Sequence, residues 1–330
     1  MLGTTAALFD SDADVRTGVA EGRIPMEINY YKMYSPVLGR DMECKVYGHK
    51  GRPVLFIPCQ DGRFYDFENF HMTETWAPWI DTGQVMIFSI DTLDQETWSN
   101  QSGDPYWRIR RYEQWLDYIT DEMVPFMRSM VNERNGWSGY PGIMAAGCSL
   151  GATHAANLYF RRPDLFDRLM ALSGVYSAEF GFGSYMDEVV YRNSPIHYLS
   201  NMPENHPFIY LYNRKKAVIC VGQGPWELPD STRKLDAILK WKHIDAWVDY
   251  WGYDCSHDWP WWHKQTAYFV PWLLGLGRGA FYGVWIKGEE EKDYEKCGVY
   301  FPQFSDQLLA ILPGTEKERY ECAWNRRSAL

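Results

Sequence analysis

The 330-residue chain predicts an α/β fold, a mostly parallel central sheet with helices on both faces, on three observations. Runs such as 54–57 and 85–88 are apolar at every position, as strands buried on both faces must be. Between such runs lie stretches with helical apolar spacing, and strands that alternate with helices pair in parallel through right-handed crossovers. The pentapeptide Gly147-Cys148-Ser149-Leu150-Gly151 sits where an apolar strand runs into a helix-forming stretch. A strand-to-helix hairpin of that kind holds a serine exposed at the edge of a sheet.

Taken in order, 26–35 and 42–49 carry β-branched and aromatic residues around the turn at 36–40 and predict an antiparallel hairpin. Strands follow at 54–57 and 85–88, joined by a helical connection over 68–80. From 107 to 134 the apolar residues Trp115, Tyr118, Ile119, Met123, Phe126, Met127 and Met130 recur at helical spacing, so a long amphipathic helix is expected, broken near Pro125. The strand at 143–146 leads into the hairpin and a helix from Ala152 to Arg162, which Pro163-Asp164 closes. A strand at 169–172 precedes the irregular, aromatic-rich stretch 179–200, read as an insertion over a pocket. Strands at 217–221 and 246–250 alternate with helices at 231–242 and 262–274. The pattern stops there. Residues 1–25 read as an N-terminal segment, 26–274 as one domain, and 275–330 as a C-terminal extension packing on the domain or on a second subunit, which leaves a homo-oligomer open.

A net charge of −10 argues against a nucleic-acid partner, which needs a basic face. The arginines at 108–111 and 161–162 read as solvated helix faces. No apolar run is long enough to span a bilayer, and 1–23 lacks the basic start and apolar core of a secretory signal. Seven cysteines, an odd number without a CxxC pair, fit a reduced, cytoplasmic protein and give no zinc-ligand spacing.

A serine hydroxyl becomes a nucleophile when it is held exposed, beside a base and facing donors for a developing oxyanion. Gly147 and Gly151 remove Cβ atoms that would clash in so tight a turn, and the helix start aims free N–H groups at a reacting carbonyl. In sheets of this kind the acid and then the histidine follow the serine along the chain. Of eight histidines, His49 and His71 precede Ser149, and His154 faces away from the hairpin. His197, His206 and His243 come too early. His257, in the loop after the strand at 246–250, is the expected base, with His263 as the alternative. The six-residue spacing of those two does not suit a metal on one helix, so neither metal nor cofactor is expected. For the acid, Glu227 in the loop after the strand at 217–221 is preferred and Asp230 is the alternative. The oxyanion donors are expected to be the N–H of Leu150 and one from the loop at 58–64, with Gln60 preferred over Asp61.

The serine pentapeptide, followed by Ala155, by Arg161-Arg162-Pro163-Asp164-Leu165-Phe166-Asp167 and by Leu172-Ser173-Gly174, resembles the putative esterase (esterase D-like) family of α/β-hydrolases. The similarity covers about 26–274. It implies an α/β-hydrolase fold, an acid within 223–227 and a base at His257, before Asp258-Trp259. The chain departs from the family in having Glu where relatives often have Asp, and Ser-Leu-Gly where many have Ser-Met-Gly-Gly. It also lacks the signature of the formylglutathione hydrolases around the oxyanion loop, so that substrate is not implied.

Aromatic residues make up 17% of the chain, and Phe64, Tyr65, Trp98, Trp226, Trp259 and Trp261 fall where loops should reach the carboxyl edge of the sheet. Of these, Phe64, Trp226 and Trp259 are the expected substrate contacts, suited to an aryl or sugar-bearing ester. The expected activity is that of a serine carboxylic-ester hydrolase acting through an acyl-enzyme on a small acyl, aryl or sugar ester. An acyltransferase on the same fold, or a non-catalytic binder of carbohydrate or aromatic ligands, are the alternatives.

Overall fold

The computed structural model describes residues 26–276, so the expected N-terminal segment and nearly all of the C-terminal extension lie outside the described residues. Eight strands form one sheet in the order β1-β2-β4-β3-β5-β6-β7-β8. The hairpin β1 (Ile28–Ser35) and β2 (Arg40–Tyr47) comes first, followed by β3 (Arg52–Ile57). Helices α1 (Asp66–Asn69) and α2 (Met72–Ile80) lead to β4 (Val85–Ile90) and a short 3-10 turn at Asp94–Glu96. Then come α3 (Pro105–Tyr118), a π-helical turn (Ile119–Met123), α4 (Val124–Asn135), β5 (Ile143–Cys148), α5 (Leu150–Arg161) and β6 (Phe166–Leu172). Four short helices follow: α6 (Glu179–Phe182), α7 (Glu188–Arg192), α8 (Pro195–Ser200) and α9 (Pro207–Tyr212). The last elements are β7 (Lys216–Val221), α10 (Pro229–Trp241), β8 (Trp247–Tyr250) and α11 (Trp259–Leu274).

Strands β1, β2 and β4 pair antiparallel, and β4 through β8 pair in parallel. The register places Ile57 opposite Gly147, Cys148 opposite Leu172, and Val221 opposite Tyr250. The carboxyl ends of β3, β5, β6, β7 and β8 therefore finish along one line, and the loops leaving them share one edge.

Alternation along each strand divides the core into two layers. Leu55, Ile57, Phe88, Ala145, Leu169 and Ile219 face α3, α4, α5 and α10. Val54, Phe56, Ile87, Met144, Met170 and Val218 face α2 and α11. Trp76 and Trp79 of α2 are almost wholly buried in the second layer. Each large side chain taken out of water contributes about 1.5–3 kcal/mol.

Local details depart from expectation for identifiable reasons. The connection expected over 68–80 is two helices, parted at His71, which adopts a left-handed conformation. The long helix is interrupted by the π turn, and Pro125 follows it directly in the first turn of α4. Helix α5 begins at Leu150, two residues ahead of the expected start, because the serine itself occupies the position before the first turn. Helix α11 starts at Trp259, where the Asp258 side chain accepts the Trp259 N–H and Pro260 fills the first turn. The insertion expected to be irregular is helical: the Asp187 side chain caps α7 by accepting the Val190 N–H, and prolines open α8 and α9.

Candidate active site

Ser149 follows the last residue of β5 with φ 57° and ψ −129°, a backbone conformation that costs a non-glycine residue about 1–3 kcal/mol. Its N–H donates to the Leu172 carbonyl of the neighbouring strand (2.8 Å), and its own carbonyl accepts from Ala152 (3.0 Å). The glycines on either side have no room for a side chain. A Cβ on Gly151 would lie 2.3 Å from the carbonyl oxygens of Ile57 and Pro58, and one on Gly147 would lie 2.5 Å from the Gly151 backbone. The serine is thus left partly exposed between two buried neighbours.

The loops after β7 and β8 deliver the other two groups. They are zipped together by backbone hydrogen bonds from Gln223 to Gly252 (3.2 Å), Gly224 to Cys255 (2.9 Å) and His257 to Pro225 (3.0 Å). His257 Nε2 lies 2.8 Å from Ser149 Oγ, and its Nδ1 lies 3.3 Å from Glu227 Oε2. A carboxylate can only accept, so Nδ1 carries the ring proton and Nε2 is free to accept from the serine hydroxyl. The Glu227 side chain is fully buried while the His257 ring is a quarter exposed. The second carboxylate oxygen, Oε1, accepts the Ser173 hydroxyl (2.7 Å) and the Gly222 N–H (3.2 Å). Ser173 in turn accepts from the Trp262 indole N–H (3.0 Å), whose ring stands edge-on to His257 at 5.0 Å.

The competing residues are occupied elsewhere. Asp230 is mostly exposed and pairs with Arg233 on the first turn of α10. His263 hydrogen-bonds Thr75 of α2 (2.7 Å), and burial, with His71 nearby, holds its imidazole below the usual value. His154 is buried on α5 and bonded to Asp94 and Tyr112. Asp258 caps α11.

Leu150 opens α5, where the first N–H groups have no intrahelical acceptor. In the loop after β3 the Asp61 N–H, the alternative expected donor, is taken by Asp94 Oδ2 (3.2 Å). The Gln60 side chain is tied back to Ser99 Oγ (2.9 Å). The aromatic residues sort by exposure. Trp226 is 88% exposed beside Glu227, and Trp259 stacks flat on Phe70 at 4.3 Å. Phe64, an expected substrate contact, is buried against the more open rings of Tyr30 and Tyr65. Trp98, expected near the pocket, is a core residue packed on Tyr112, His154 and Phe182. Sequence reasoning missed the supporting role of Ser173 and Trp262. The Ser-Gly pair at the end of β6 was the one available signal for the former.

The family model described as putative esterase matches residues 35–273. No curated protein matches the chain. Among solved structures, a ferulic acid esterase is similar at 16% identity and TM-score 0.60, over 77% of this chain and 100% of its own. An S-formylglutathione hydrolase from Agrobacterium tumefaciens is similar at 12% identity and TM-score 0.57, over 78% of this chain and 96% of its own. A fluorophosphonate-binding serine hydrolase of Staphylococcus aureus gives 13% identity and TM-score 0.54, over 76% and 99%. At these identities the likeness to solved structures speaks for the fold, an α/β-hydrolase. With the family model spanning most of its length, the chain belongs to the putative esterase family and is an esterase.

Proposed function

We propose that Ser149, His257 and Glu227 are the catalytic triad of this esterase, working on a small acyl, aryl or sugar ester. The relay of hydrogen bonds from Ser149 to His257 (2.8 Å) and from His257 to the buried Glu227 (3.3 Å) carries the reading. Ser149 Oγ attacks the ester carbonyl as its proton passes to His257 Nε2, and the tetrahedral oxyanion is met by the N–H groups of Leu150 and Gln60. His257 then protonates the departing alcohol, and the acyl-enzyme is hydrolysed by a water deprotonated by the same ring. Glu227 holds the ring tautomer and stabilises the imidazolium. Its own carboxylate is held by Ser173 and Gly222. The exposed Trp226 and the Trp259–Phe70 stack offer flat apolar surface to an aryl or sugar group.

A cytoplasmic setting is supported by free thiols at Cys44, Cys59, Cys148, Cys220 and Cys255. Among the described residues no helix is long and apolar enough to cross a membrane. Labelling by a fluorophosphonate, mapped to Ser149 by peptide mass and lost in Ser149→Ala, tests the reading. Labelling elsewhere, or turnover of p-nitrophenyl acetate retained by Ser149→Ala, overturns it.

A further inference from the structure

One buried ionisable pair has no part in this chemistry. His154 lies on α5, five residues beyond Ser149, with its side chain fully buried. The rings of Trp98, Tyr112 and Trp115 surround it, with centroids at 5.7, 5.2 and 5.1 Å. Its Nε2 lies 2.9 Å from Oδ1 of the equally buried Asp94, and its Nδ1 lies 2.9 Å from the Tyr112 hydroxyl. The carboxylate accepts, so Nε2 carries the proton and Nδ1 accepts from tyrosine. Taking such a pair out of water is costly, and an apolar replacement of similar volume is often at least as stable. Stability alone therefore gives a weak reason for its presence in the core.

The other oxygen of Asp94 supplies a stronger one. Oδ2 accepts the N–H of Asp61 (3.2 Å), the residue directly after Gln60, which stands in a left-handed conformation at φ 59°. The same turn grips Gln60 again: its side-chain amide donates to Ser99 Oγ (2.9 Å), while the Ser99 N–H donates to the Asp94 carbonyl (2.8 Å). His154 meanwhile shares α5 with Leu150, so one network ties both expected oxyanion donors to a common frame.

We propose that Asp94, locked by His154, is a positioning residue for the oxyanion loop, holding Asp61 so that the Gln60 N–H stays aimed beside that of Leu150. The inference rests on the reading of Ser149 as nucleophile and of Leu150 and Gln60 as donors. Donors aimed in advance at the developing charge account for much of the rate in acyl transfer, and a misplacement of about 1 Å costs on the order of 100-fold.

The test compares Asp94→Ala with Asp94→Asn, counting active sites by complete fluorophosphonate labelling of Ser149 and reading p-nitrophenyl acetate turnover per labelled site. Asparagine still offers an oxygen to Asp61 and an N–H to the other tautomer of His154. Asp94→Ala should lower kcat about 100-fold with KM little changed, and weaken binding of a boronic acid that mimics the tetrahedral oxyanion. Asp94→Asn should recover most of both losses. Unchanged kcat per labelled site in Asp94→Ala, with only Tm lowered, would overturn the proposal. Should that variant not fold, Ser99→Ala, at a partly exposed side chain, carries the test: kcat falls several-fold at constant KM and Tm, or the proposal fails. Absence of labelling in the unmodified protein sinks the nucleophile and the positioning role together. Full labelling with unaltered kcat sinks only the latter.

Discussion

The two edges of the parallel sheet solve the same geometric problem with different residues. At the amino edge the chain turns into β3 and β4 through Gly51 (φ 115°) and Gly83 (φ 68°), where a left-handed conformation costs glycine little, and a side chain takes that conformation ahead of β8, at His243 (φ 53°). At the carboxyl edge the left-handed positions are Asp61, Ser149, Ser173 and Trp226, at φ 59°, 57°, 58° and 68°, each after a different parallel strand. Side chains there cost about 1–3 kcal/mol apiece. Three of the four touch the proposed machinery: Ser149 bonds His257, Ser173 bonds Glu227, and Asp61 holds the oxyanion loop to Asp94. The clefts lined by Arg52, Asn135 and Arg168, or by Arg128 and Tyr140, lie towards the other edge, away from Ser149.

The contrast can be broken most sharply at Ser149. Ser149→Ala should lower kcat by roughly five to six orders of magnitude, and Ser149→Gly equally, yet the glycine variant should melt above the alanine variant because the backbone strain is gone. Equal melting temperatures in calorimetry would deny that strain is stored there. Next in size, Glu227→Gln should cost about 100- to 10,000-fold in kcat, while Asp230→Asn leaves kcat within about twofold. The reverse ranking in steady-state kinetics would move the acid to Asp230. Gly51→Ala should do the opposite of the serine variants. A Cβ there would meet the Gln84 backbone at 2.4 Å, so Tm falls while turnover per labelled site holds.

The smallest effect is set by pH. Burial alone would raise the Glu113 carboxyl, but hydrogen bonds from Arg161 and Asn193 and the charges of Arg161 and Arg192 outweigh it and hold the group below its ordinary value. A depressed carboxylate gives stability that is full above the unfolded value of about 4.3 and lost as pH falls through the folded one. Glu113→Gln should therefore destabilise by about 1–3 kcal/mol at pH 7. In urea melts that gap should shrink below about pH 4; a constant gap would mean the loss is one of packing.

The sheet was legible because runs such as 54–57 and 143–146 are apolar at every position, which nothing but a central strand explains so simply. The proposed serine, acid and histidine draw attention because each lies in the loop that follows a strand, after 143–148, 216–221 and 247–250. What lies behind them was hidden. Ser173 reaches Glu227 across 54 positions and His154 reaches Asp94 across 60, contacts that follow from strand order rather than from local pattern. The orientation of His154 away from the serine hairpin gives no hint in the sequence of its partners, Asp94 and Tyr112. Trp98 was misplaced because loop position and burial coincide in an aromatic-rich chain.

The five described thiols bear on how the protein can be handled. Burial pushes the Cys44 thiol up to about 12, and Cys59, Cys148, Cys220 and Cys255 are raised further, again chiefly by burial. Held as protonated packing atoms, they present almost no thiolate to alkylating reagents or peroxide at neutral pH. An electrophile chosen for hydroxyls should therefore meet little competition from the described cysteines, of which all but Cys59 are buried.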